Sequence, residues 1–546
     1  MSAPELRFGD LPASAARRWG GEEAIAFRGT RLTFSELNDR IDRAARALLA
    51  RGVRKGDVVG LWVTNRIEFT VAFYAALRVG AIAAPLNTRY REHDVAYALK
   101  LAECKLLFVV ERSGPVDYLD MLKAVFPGFD GRRFDGAPAF PHLKDLVVIA
   151  DTPSDAPLSW ERFLAGAERI STEELERAAA AVEMDDIALI VFTSGTTGNP
   201  KGVMHDHTLL RSICERHDIW PLKAGSVVLN YLPMFHLFSM AEMVFACMHT
   251  GARQVVMDAW DPEEAVRLIE SERVNGIYGF ETHYADIIRA QAQIKADLSS
   301  LRFGGLPAGM ESSNAVALQV QKTLCPTATG WGMSEAGCYV CLTSLDDTDE
   351  QRCTTSGRPM NGLEVKIVDP ATGKAQPPGV EGEILWRGYT TMRGYFRDPA
   401  ATAATIKDGW LHTGDRGYLR PDGFLQFLGR YKEMLKVGGE NVSPAALEAE
   451  LMALVPAIEQ VAVVGVPHPR LMEVPCAYVV LKPGTTCTVE DVRRLCKGKI
   501  ASFKIPHHVV PVATLPMTAS GKVQRVMLRD RAIRELNLQA EKEAVA

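Results

Sequence analysis

A loop rich in glycine and hydroxyl side chains follows the apolar run at residues 187–192. Glycines let a backbone approach a ligand closely, and threonine, serine and lysine add hydroxyl donors and a positive charge, a combination suited to phosphate. An ordinary surface turn favours the same residue types and is the alternative. The residues concerned are Thr193, Ser194, Gly195, Thr196, Thr197, Gly198 and Lys201.

The order of residues in this loop argues against the common nucleotide phosphate loop. That loop needs a lysine followed by serine or threonine, at the start of a helix that carries the hydroxyl to magnesium. Here Pro200 precedes Lys201 and Gly202 follows it. If phosphate binds, we expect a different kind of loop to hold it.

Charged residues that could complete a phosphate site lie much further along the chain. Glu335 offers a hard oxygen ligand for a divalent cation. Asp415 ends a Thr-Gly-Asp turn, and Lys522 follows a Ser-Gly pair. Taken singly, these residues have ordinary interpretations as a surface acid, a turn residue and an exposed lysine.

Seven segments in a fixed order resemble the acyl-adenylate-forming enzymes, the AMP-binding superfamily that includes the AMP-forming acyl-CoA synthetases. A single match would be weak, but seven matches over nearly the whole chain are specific. The matching segments are residues 32–37, 193–202, 330–335, 410–415, 429–432, 437–441 and 520–522.

The resemblance implies that ATP and Mg²⁺ bind at these segments. The loop would hold the β- and γ-phosphates, and Glu335 with Thr193 would bind Mg²⁺. Trp331, where the family usually has tyrosine, would stack on adenine, although alone it would be a core residue. Asp415 would accept hydrogen bonds from both ribose hydroxyls, with Arg430 behind it. The nucleotide set is completed by Gly305, Gly332, Met333 and Ser334.

Three residues are implied to be catalytic: Lys522, His236 and Glu335. The attack of a carboxylate on the α-phosphate of ATP brings two negatively charged groups together, so the site must neutralise charge. Lys522 would bridge the two on a mobile loop. His236 resembles the family's acyl-pocket histidine, although a lone histidine among apolar residues is usually a core group.

The implied acid-binding pocket is mostly apolar, so the resemblance favours a fatty, cyclic or aromatic acid. An α-amino acid is disfavoured, because amino-acid-activating relatives carry aspartate where this chain has His236. Glu281 replaces a usual proline and is either a pocket residue or a residue at its edge. The implied pocket residues are Phe235, His236, Phe238, Phe280, Gly304, Gly305, Leu306, Met333 and Gly337.

The second half-reaction is implied to use CoA. Lys432 falls at the family's hinge, and Gly438 and Gly439 would let a pantetheine arm pass close to the backbone. An enzyme that loads a carrier protein or oxidises the adenylate is one alternative. A non-catalytic nucleotide sensor is the other, and the retention of Lys522, Glu335 and Asp415 together argues against it.

The periodicity of apolar residues predicts an α/β fold that positions these groups. We expect a large body at residues 1–430 with a β-rich part after Gly362, a hinge at 431–433 and a small mobile α+β lid at 433–546. Predicted helices lie at 34–49, 68–78, 239–248, 444–454, 488–497 and 526–536, and predicted strands at 58–63, 226–230, 253–257, 364–368, 382–386, 423–428, 460–466 and 476–481.

Length and composition narrow the class of protein. A chain of 546 residues is expected to form more than one hydrophobic core. Its net charge of −5 argues against a nucleic-acid-binding protein, which usually has a basic surface. No secretory signal or membrane span is apparent, which predicts a cytoplasmic protein. The ten scattered cysteines, including the pair Cys338 and Cys341, are expected to be packing residues rather than a metal or redox site. The oligomeric state stays open, with a homodimer as one possibility.

Overall fold

A computed structural model of the chain describes residues 6–193, 200–309, 311–437, 440–468, 471–497, 499–500, 502–518 and 521–538. The fold is mixed α/β, as predicted, with a large body and a smaller C-terminal sheet domain. Across these ranges, no helix combines the length and apolar character needed to cross a membrane.

Two seven-stranded sheets form the centre of the body. In each sheet most neighbouring strands are parallel, because helices connect them and cover both faces. The first sheet has the order Thr327–Ala328, Phe303–Gly305, Gly276–Tyr278, Val227–Asn230, Arg253–Val256, Glu23–Phe27 and Thr30–Thr33. The second has the order Gly394–Tyr395, Lys201–Asp206, Ile187–Thr193, Ile82–Pro85, Val58–Trp62, Leu106–Val110 and Asp145–Ile149.

The helices of the body pack on these sheets around one extended apolar core. The first long helix begins where the sequence places a capping box: Thr33 Oγ1 accepts from the Glu36 amide, and the Glu36 carboxylate accepts from Thr33 N. The helices are Leu11–Trp19, Phe34–Ala50, Ile67–Arg78, Glu92–Ala102, Tyr118–Val125, Trp160–Ala165, Thr172–Ala180, Leu209–Ile219, Leu237–Ser239, Ala246–Thr250, Pro262–Ser271, Glu281–Ile294, Glu311–Thr323, Asp349–Thr354 and Pro399–Thr405.

The predicted helix at 239–248 is not a regular α-helix. It starts at Leu237 and contains a π-helical stretch, Met240–Phe245, before the α-helix Ala246–Thr250. Every residue of the π stretch is buried. A segment that is apolar on all sides shows no periodicity from which the extra residue per turn could be read.

A β-rich part follows the two large sheets, as the turn-rich sequence predicts. Its five-stranded antiparallel sheet carries Asp415 and Arg430 on paired strands. The strands are Leu363–Val368, Gly382–Gly388, Ile406–Lys407, Trp410–Leu419 and Leu425–Arg430. A separate three-stranded sheet contains Gly330–Met333, Cys338–Leu342 and Arg358–Pro359, and a two-stranded hairpin pairs Arg112–Ser113 with Val116–Asp117.

The C-terminal domain, which corresponds to the predicted lid and is called the lid below, is a five-stranded sheet with apolar cores on both faces. Ser443 caps its first helix through a bond from the Ala446 amide, with Pro444 at the first helical position, as predicted. Its strands are Leu435–Val437, Glu440–Val442, Ile458–His468, Met472–Leu481 and His508–Pro511, and its helices are Pro444–Leu454, Val489–Cys496 and Arg525–Glu535.

All ten cysteine side chains are buried. Burial raises the pKa of Cys353 and Cys487, which keeps both in the neutral form at physiological pH. Cys338 and Cys341 lie on one strand of the three-stranded sheet. Their environment is that of packing residues.

Candidate active site

The predicted phosphate loop connects two antiparallel strands. Thr193 ends one strand and pairs with Lys201, which begins the next. A strand therefore follows the loop, whereas the common phosphate loop leads into a helix. The Lys201 ammonium lies 4.5 Å from the centre of the Tyr395 ring, a cation–π contact. Residues 194–198 of the prediction lie outside the described residues.

Asp415 is the centre of a buried hydrogen-bonded group. Its Oδ2 accepts a hydrogen bond from the indole nitrogen of Trp331 at 3.1 Å, and its Oδ1 accepts from Nε of Arg430 at 3.0 Å. Burial raises the pKa of Asp415, and the Arg430 charge opposes that rise. A carboxylate has about four acceptor positions, so two remain for a ligand such as a diol. The structure thus brings together three residues that the sequence separates by up to 99 positions.

Glu335 lies in a short 3₁₀ turn, Ser334–Ala336, between two strands of the three-stranded sheet. Its side chain is buried, and Oε1 accepts a hydrogen bond from the Tyr395 hydroxyl at 3.0 Å. The turn is fixed by the His205 ring, which donates to the Ser334 carbonyl at 2.6 Å. Oε2 remains available as a hard oxygen ligand.

The residues present fit a magnesium ion that is shared with a substrate. Among the residues that the structure describes, no group of three or more His, Cys, Asp or Glu side chains could hold a metal alone. Magnesium is usually bound by one or two carboxylates together with phosphates and water. Glu335, with the hydroxyl of Thr193, is suited to that role.

Lys522 is carried by the lid and reaches the same site. A methyl group on the preceding Gly521 would lie 3.0 Å from His283 and 3.4 Å from Phe280, so the lid loop contacts the body directly. Part of the Lys522 side chain is exposed to solvent. Even so, burial and the charge of Arg430 lower the pKa of its ammonium group. The charges of Asp415 and Glu335 oppose that decrease.

His236 precedes the helical turn Leu237–Ser239, and its Nδ1 accepts a hydrogen bond from the Phe238 amide at 3.3 Å. Burial, with a smaller contribution from the Lys522 charge, lowers the pKa of His236 to about 4. The ring is therefore neutral at physiological pH. The Lys522 and His236 side chains are near enough to interact electrostatically.

Aromatic side chains enclose the predicted acid pocket. Phe238 packs edge-on against Phe280, with ring centres 5.5 Å apart, and against Tyr339 at 5.0 Å. Phe235 and Leu306 are buried, and Met333 is half-buried. A side chain on Gly305 would lie 2.4 Å from the Tyr278 ring, and one on Gly304 would lie 2.4 Å from the Tyr284 hydroxyl.

Two further glycines of the predicted site allow close backbone contacts. A side chain on Gly332 would overlap the Cys338 carbonyl, at 1.4 Å, so only glycine permits this strand pairing. Gly337 has a φ of +89°, a conformation that favours glycine. Both positions shape the turn that holds Glu335.

The predicted hinge and CoA residues are only partly described. Lys432 lies in a 3₁₀ turn, Tyr431–Glu433, between the last strand of the body and the first strand of the lid. Its side chain, and both Gly438 and Gly439, lie outside the described residues.

Glu281 lies where the body meets the lid. It begins the helix Glu281–Ile294 and faces the lid pair in which Arg525 binds both carboxylate oxygens of Glu448. Burial and the Glu448 charge raise the pKa of Glu281 to about 7, and the Arg525 charge opposes the rise. Other body–lid contacts include Arg289 to Glu459 at 3.0 Å and Arg89 to the Met517 carbonyl at 3.2 Å.

Sequence reasoning missed several residues that the structure places around the site. Tyr395, the partner of Glu335, lies in a two-residue strand with no motif signal. A buried ion pair joins Arg216 to Glu242 near the acid pocket. The one available signal was Glu242 itself, a charged residue inside the apolar run 237–248.

Comparisons with known proteins agree with this geometry. Models of the AMP-binding enzymes and of their C-terminal domain match residues 13–396 and 447–522. A Rhodococcus jostii CoA ligase of a methyl-dioxo-octahydroindenyl propanoate is 35% identical over 94% of this chain and 97% of its own. The human mitochondrial medium-chain acyl-CoA ligase ACSF2 is 31% identical over 97% and 88%.

The structural comparison covers both domains. The anthranilate CoA ligase AuaEII, solved with anthranoyl-AMP, superposes with a TM-score of 0.84 at 25% identity, covering 98% of each chain. Fold and site together define a two-domain adenylate-forming enzyme. The chain belongs to the AMP-binding enzyme family, and its activity is that of an AMP-forming acyl-CoA ligase. The predicted fold class, family and activity are confirmed, and the carrier-loading, oxidising and sensor alternatives are not favoured.

Proposed function

We propose that the residues brought together here convert an acid with an apolar body into its CoA thioester in two steps. First, a carboxylate oxygen of the acid attacks the α-phosphorus of ATP, the bond to the β-phosphate oxygen breaks, and pyrophosphate leaves. Second, the CoA thiol loses its proton and attacks the acyl carbonyl, and AMP leaves. The site residues divide between these steps.

The placement of Lys522 is the observation that carries the proposal for the first step. The lid brings the ammonium group near enough to Asp415, Arg430 and Glu335 for their charges to change its pKa. A cation between the attacking carboxylate and the α-phosphate stabilises charge that shifts in the transition state. The carboxylates of Asp415 and Glu335 favour its charged form, because they oppose the decrease in its pKa.

The nucleotide would be held from three sides. Asp415, fixed by Trp331 and Arg430, has two acceptor positions for the ribose hydroxyls. The loop from Thr193 to Lys201 would hold the outer phosphates. Mg²⁺, held by Glu335 and Thr193, would neutralise phosphate charge when bound.

The second step needs a different position of the lid. We propose that the boundary between body and lid lies at 431–433 and that rotation about Lys432 withdraws Lys522. Gly438 and Gly439 would then approach the acid pocket and let the pantetheine arm pass. That rotation would also move Glu281 of the body away from the lid pair Glu448–Arg525.

The proposed substrate is a medium-chain, cyclic or aromatic carboxylic acid. The aromatic enclosure of Phe238, Phe280 and Tyr339 supports an apolar body for the acid. The similar proteins are ligases of a medium-chain acid, a bicyclic propanoate and anthranilate, which span the same range. One methylene changes binding in such a pocket by only about 1–3 kcal/mol, so a panel of acids is needed.

Exchange of labelled pyrophosphate into ATP tests the first step. We expect acid-dependent exchange with at least one class in the panel, and CoA-dependent AMP release with the same acid. Absence of exchange with every acid would contradict the proposal. Exchange without any use of CoA would contradict the second step alone.

A further inference from the structure

Behind the acid pocket lies a group of buried polar side chains, the floor cluster, made of Arg216, His217, Glu242, Tyr278 and Tyr339. Nη2 of Arg216 lies 2.9 Å from Oε1 of Glu242, and both side chains are fully buried. Nη1 of Arg216 donates to the Tyr339 carbonyl at 2.8 Å. A buried ion pair loses its hydration, so it is retained only where its geometry serves a purpose or is well satisfied.

The floor cluster contains several polar atoms without a hydrogen-bond partner. Within the described part of the chain, these atoms are the hydroxyls of Tyr278 and Tyr339, Oε2 of Glu242, Nε and Nη2 of Arg216, and both ring nitrogens of His217. Buried polar atoms are almost always paired, so several unpaired ones in one place indicate a missing partner. The partner must both accept and donate, because hydroxyl hydrogens and a carboxylate oxygen are all unsatisfied.

The cluster is connected to the predicted acid pocket through the pocket residue Phe238. Glu242 follows Phe238 by four residues, which places it about 6 Å further along the helix, on the same side. Phe238 packs on Tyr339 at 5.0 Å and on Tyr278 at 6.5 Å. A substrate whose carboxylate lies near His236 and Lys522 would extend past Phe238 toward these hydroxyls.

Two backbone irregularities border the cluster. Glu242 lies within the π-helical stretch Met240–Phe245, and such stretches occur frequently at functional sites. Cys338, next to the pocket residue Gly337, has a φ of +76°, an unfavourable value for a side chain other than glycine. Its thiol lies 3.8 Å from Oε1 of Glu242. Strained backbone of this kind persists mainly where ligands bind.

We propose that the floor cluster recognises a hydroxyl group at the far end of the acid, a specificity that rests on the proposed function. The hydroxyl would donate to Oε2 of Glu242 and accept from the hydroxyl of Tyr278 or Tyr339. A second carboxylate on the acid would face Glu242 and is not favoured. The substrate is therefore a hydroxy acid with an apolar body, rather than a plain hydrocarbon acid.

The charges around the cluster agree with a neutral ligand group. Burial raises the pKa of Glu242, and the Arg216 charge opposes the rise. Burial and the Arg216 charge together lower the pKa of His217 far below its usual value, so its ring is neutral. An ionised Glu242 would balance the charge of Arg216, which would leave no excess charge for an ionic group.

Matched pairs of acids test this specificity with the wild-type protein. One pair is an ω-hydroxy fatty acid and the fatty acid of the same length, and another is para-hydroxyphenylpropanoate and phenylpropanoate. In pyrophosphate exchange, we expect kcat/KM to favour the hydroxylated member of at least one pair by about 10²-fold, because the plain acid leaves buried polar groups unpaired. Equal use of both members in every pair, or preference for the plain acids, would overturn the inference.

Tyr278→Phe and Tyr339→Phe keep the rings and remove the hydroxyls. We expect at least one of them to lower kcat/KM for the hydroxylated acid about tenfold more than kcat/KM for the plain acid, so that the preference falls about tenfold. Equal losses for both acids would show that the cluster only supports the fold or binds water, and would contradict the inference. Tyr478→Phe is the matched control, since Tyr478 is a buried lid tyrosine whose hydroxyl also has no partner in the described structure.

The failure of this inference can be distinguished from that of the proposed function. If acids of any kind support exchange without a preference for a far hydroxyl, only the inference fails. If no acid in either set supports exchange, the proposed function fails, and the inference fails with it.

Discussion

The nucleotide side and the acid side of the site differ in how their polar groups are paired. On the nucleotide side, Asp415 accepts from both Trp331 and Arg430. On the acid side, the Tyr278 and Tyr339 hydroxyls and Oε2 of Glu242 have no hydrogen-bond partner among the described residues. A paired site is organised before its ligand arrives, whereas an unpaired one depends on the ligand to satisfy it.

This difference parallels the chemistry of the two sides. Every member of the family must hold the same nucleotide, so the nucleotide side can be built from fixed contacts within the protein. The acid differs from one relative to the next: the similar proteins act on a bicyclic propanoate, a medium-chain acid and anthranilate. We therefore expect substitutions on the nucleotide side to affect all acids alike, and those on the acid side to affect acids selectively.

The largest effect is expected from breaking the buried ion pair. Arg216→Met leaves Glu242 buried without its partner, and we expect the free energy of unfolding to fall by about 3–5 kcal/mol. Urea unfolding measures the change. The double variant with Glu242→Leu should recover much of the loss.

Arg273→Met is the control for that experiment. Arg273 also lies 2.9 Å from a carboxylate, that of Asp297, but both side chains are more than half exposed. Arg273→Met should lower the free energy of unfolding by no more than about 1 kcal/mol. If Arg216→Met and Arg273→Met lowered the free energy of unfolding equally, burial would not explain the effect at Arg216.

Removing the Asp415 charge is expected to affect the nucleotide alone. Asp415→Asn weakens two charge-assisted hydrogen bonds and leaves Arg430 without its counter-charge, so kcat/KM for ATP should fall about 10²-fold with every acid. Steady-state exchange kinetics with two acids measure the loss. Asp422→Asn, in an exposed turn of the same sheet, should change little. A loss confined to one acid would contradict the assignment.

A smaller effect is expected from the indole nitrogen of Trp331. Trp331→Phe removes a hydrogen bond to a buried carboxylate, which corresponds to about a tenfold rise in KM for ATP. Trp386→Phe is the matched control: its ring lies 6.3 Å from Trp331, and its nitrogen has no partner in the described structure. Similar KM values for the two variants would show that ring size, not the hydrogen bond, matters.

The smallest effect concerns the pH dependence of lid docking through Glu281. Burial and the charge of Glu448 in the docked lid raise the pKa of Glu281 from 4.5 to about 7, so Glu281 of the body binds its proton more tightly when the lid is docked. Ionisation of Glu281 therefore makes the free energy of lid docking less favourable. This penalty is absent below pH 4.5, grows as the pH rises toward 7 and is complete above pH 7. Glu281→Gln should remove this dependence.

The pH profile of pyrophosphate exchange measures that prediction. The wild-type rate should decline severalfold through about pH 7 relative to the Glu281→Gln variant, whose profile should stay flatter. Glu459→Gln is a control at another body–lid contact, since Glu459 binds Arg289. Identical profiles for all three proteins would contradict the role of Glu281.

Sequence predicted the fold, and it singled out the residues that the structure brings together at Asp415, because both rest on local or motif signals. The caps at Thr33 and Ser443 involve residues three positions apart, and Asp415, Arg430 and Lys522 belong to recognisable segments. The floor cluster could not be predicted in this way. Arg216 and Glu242 are separated by 26 positions, and Tyr278 and Tyr339 join them only through tertiary packing. The π-helical stretch could not be predicted from the sequence either, because all its residues are buried and their pattern shows no periodicity.

The half-reactions of Lys522→Ala test the central claim most directly. The account predicts that pyrophosphate exchange falls by about 10²–10³-fold, because the variant lacks the cation between acid and α-phosphate. Thioester formation from supplied acyl-adenylate and CoA should change by no more than a fewfold, since Lys522 is withdrawn in that step. Equal loss in both half-reactions, or full exchange without Lys522, would contradict the account.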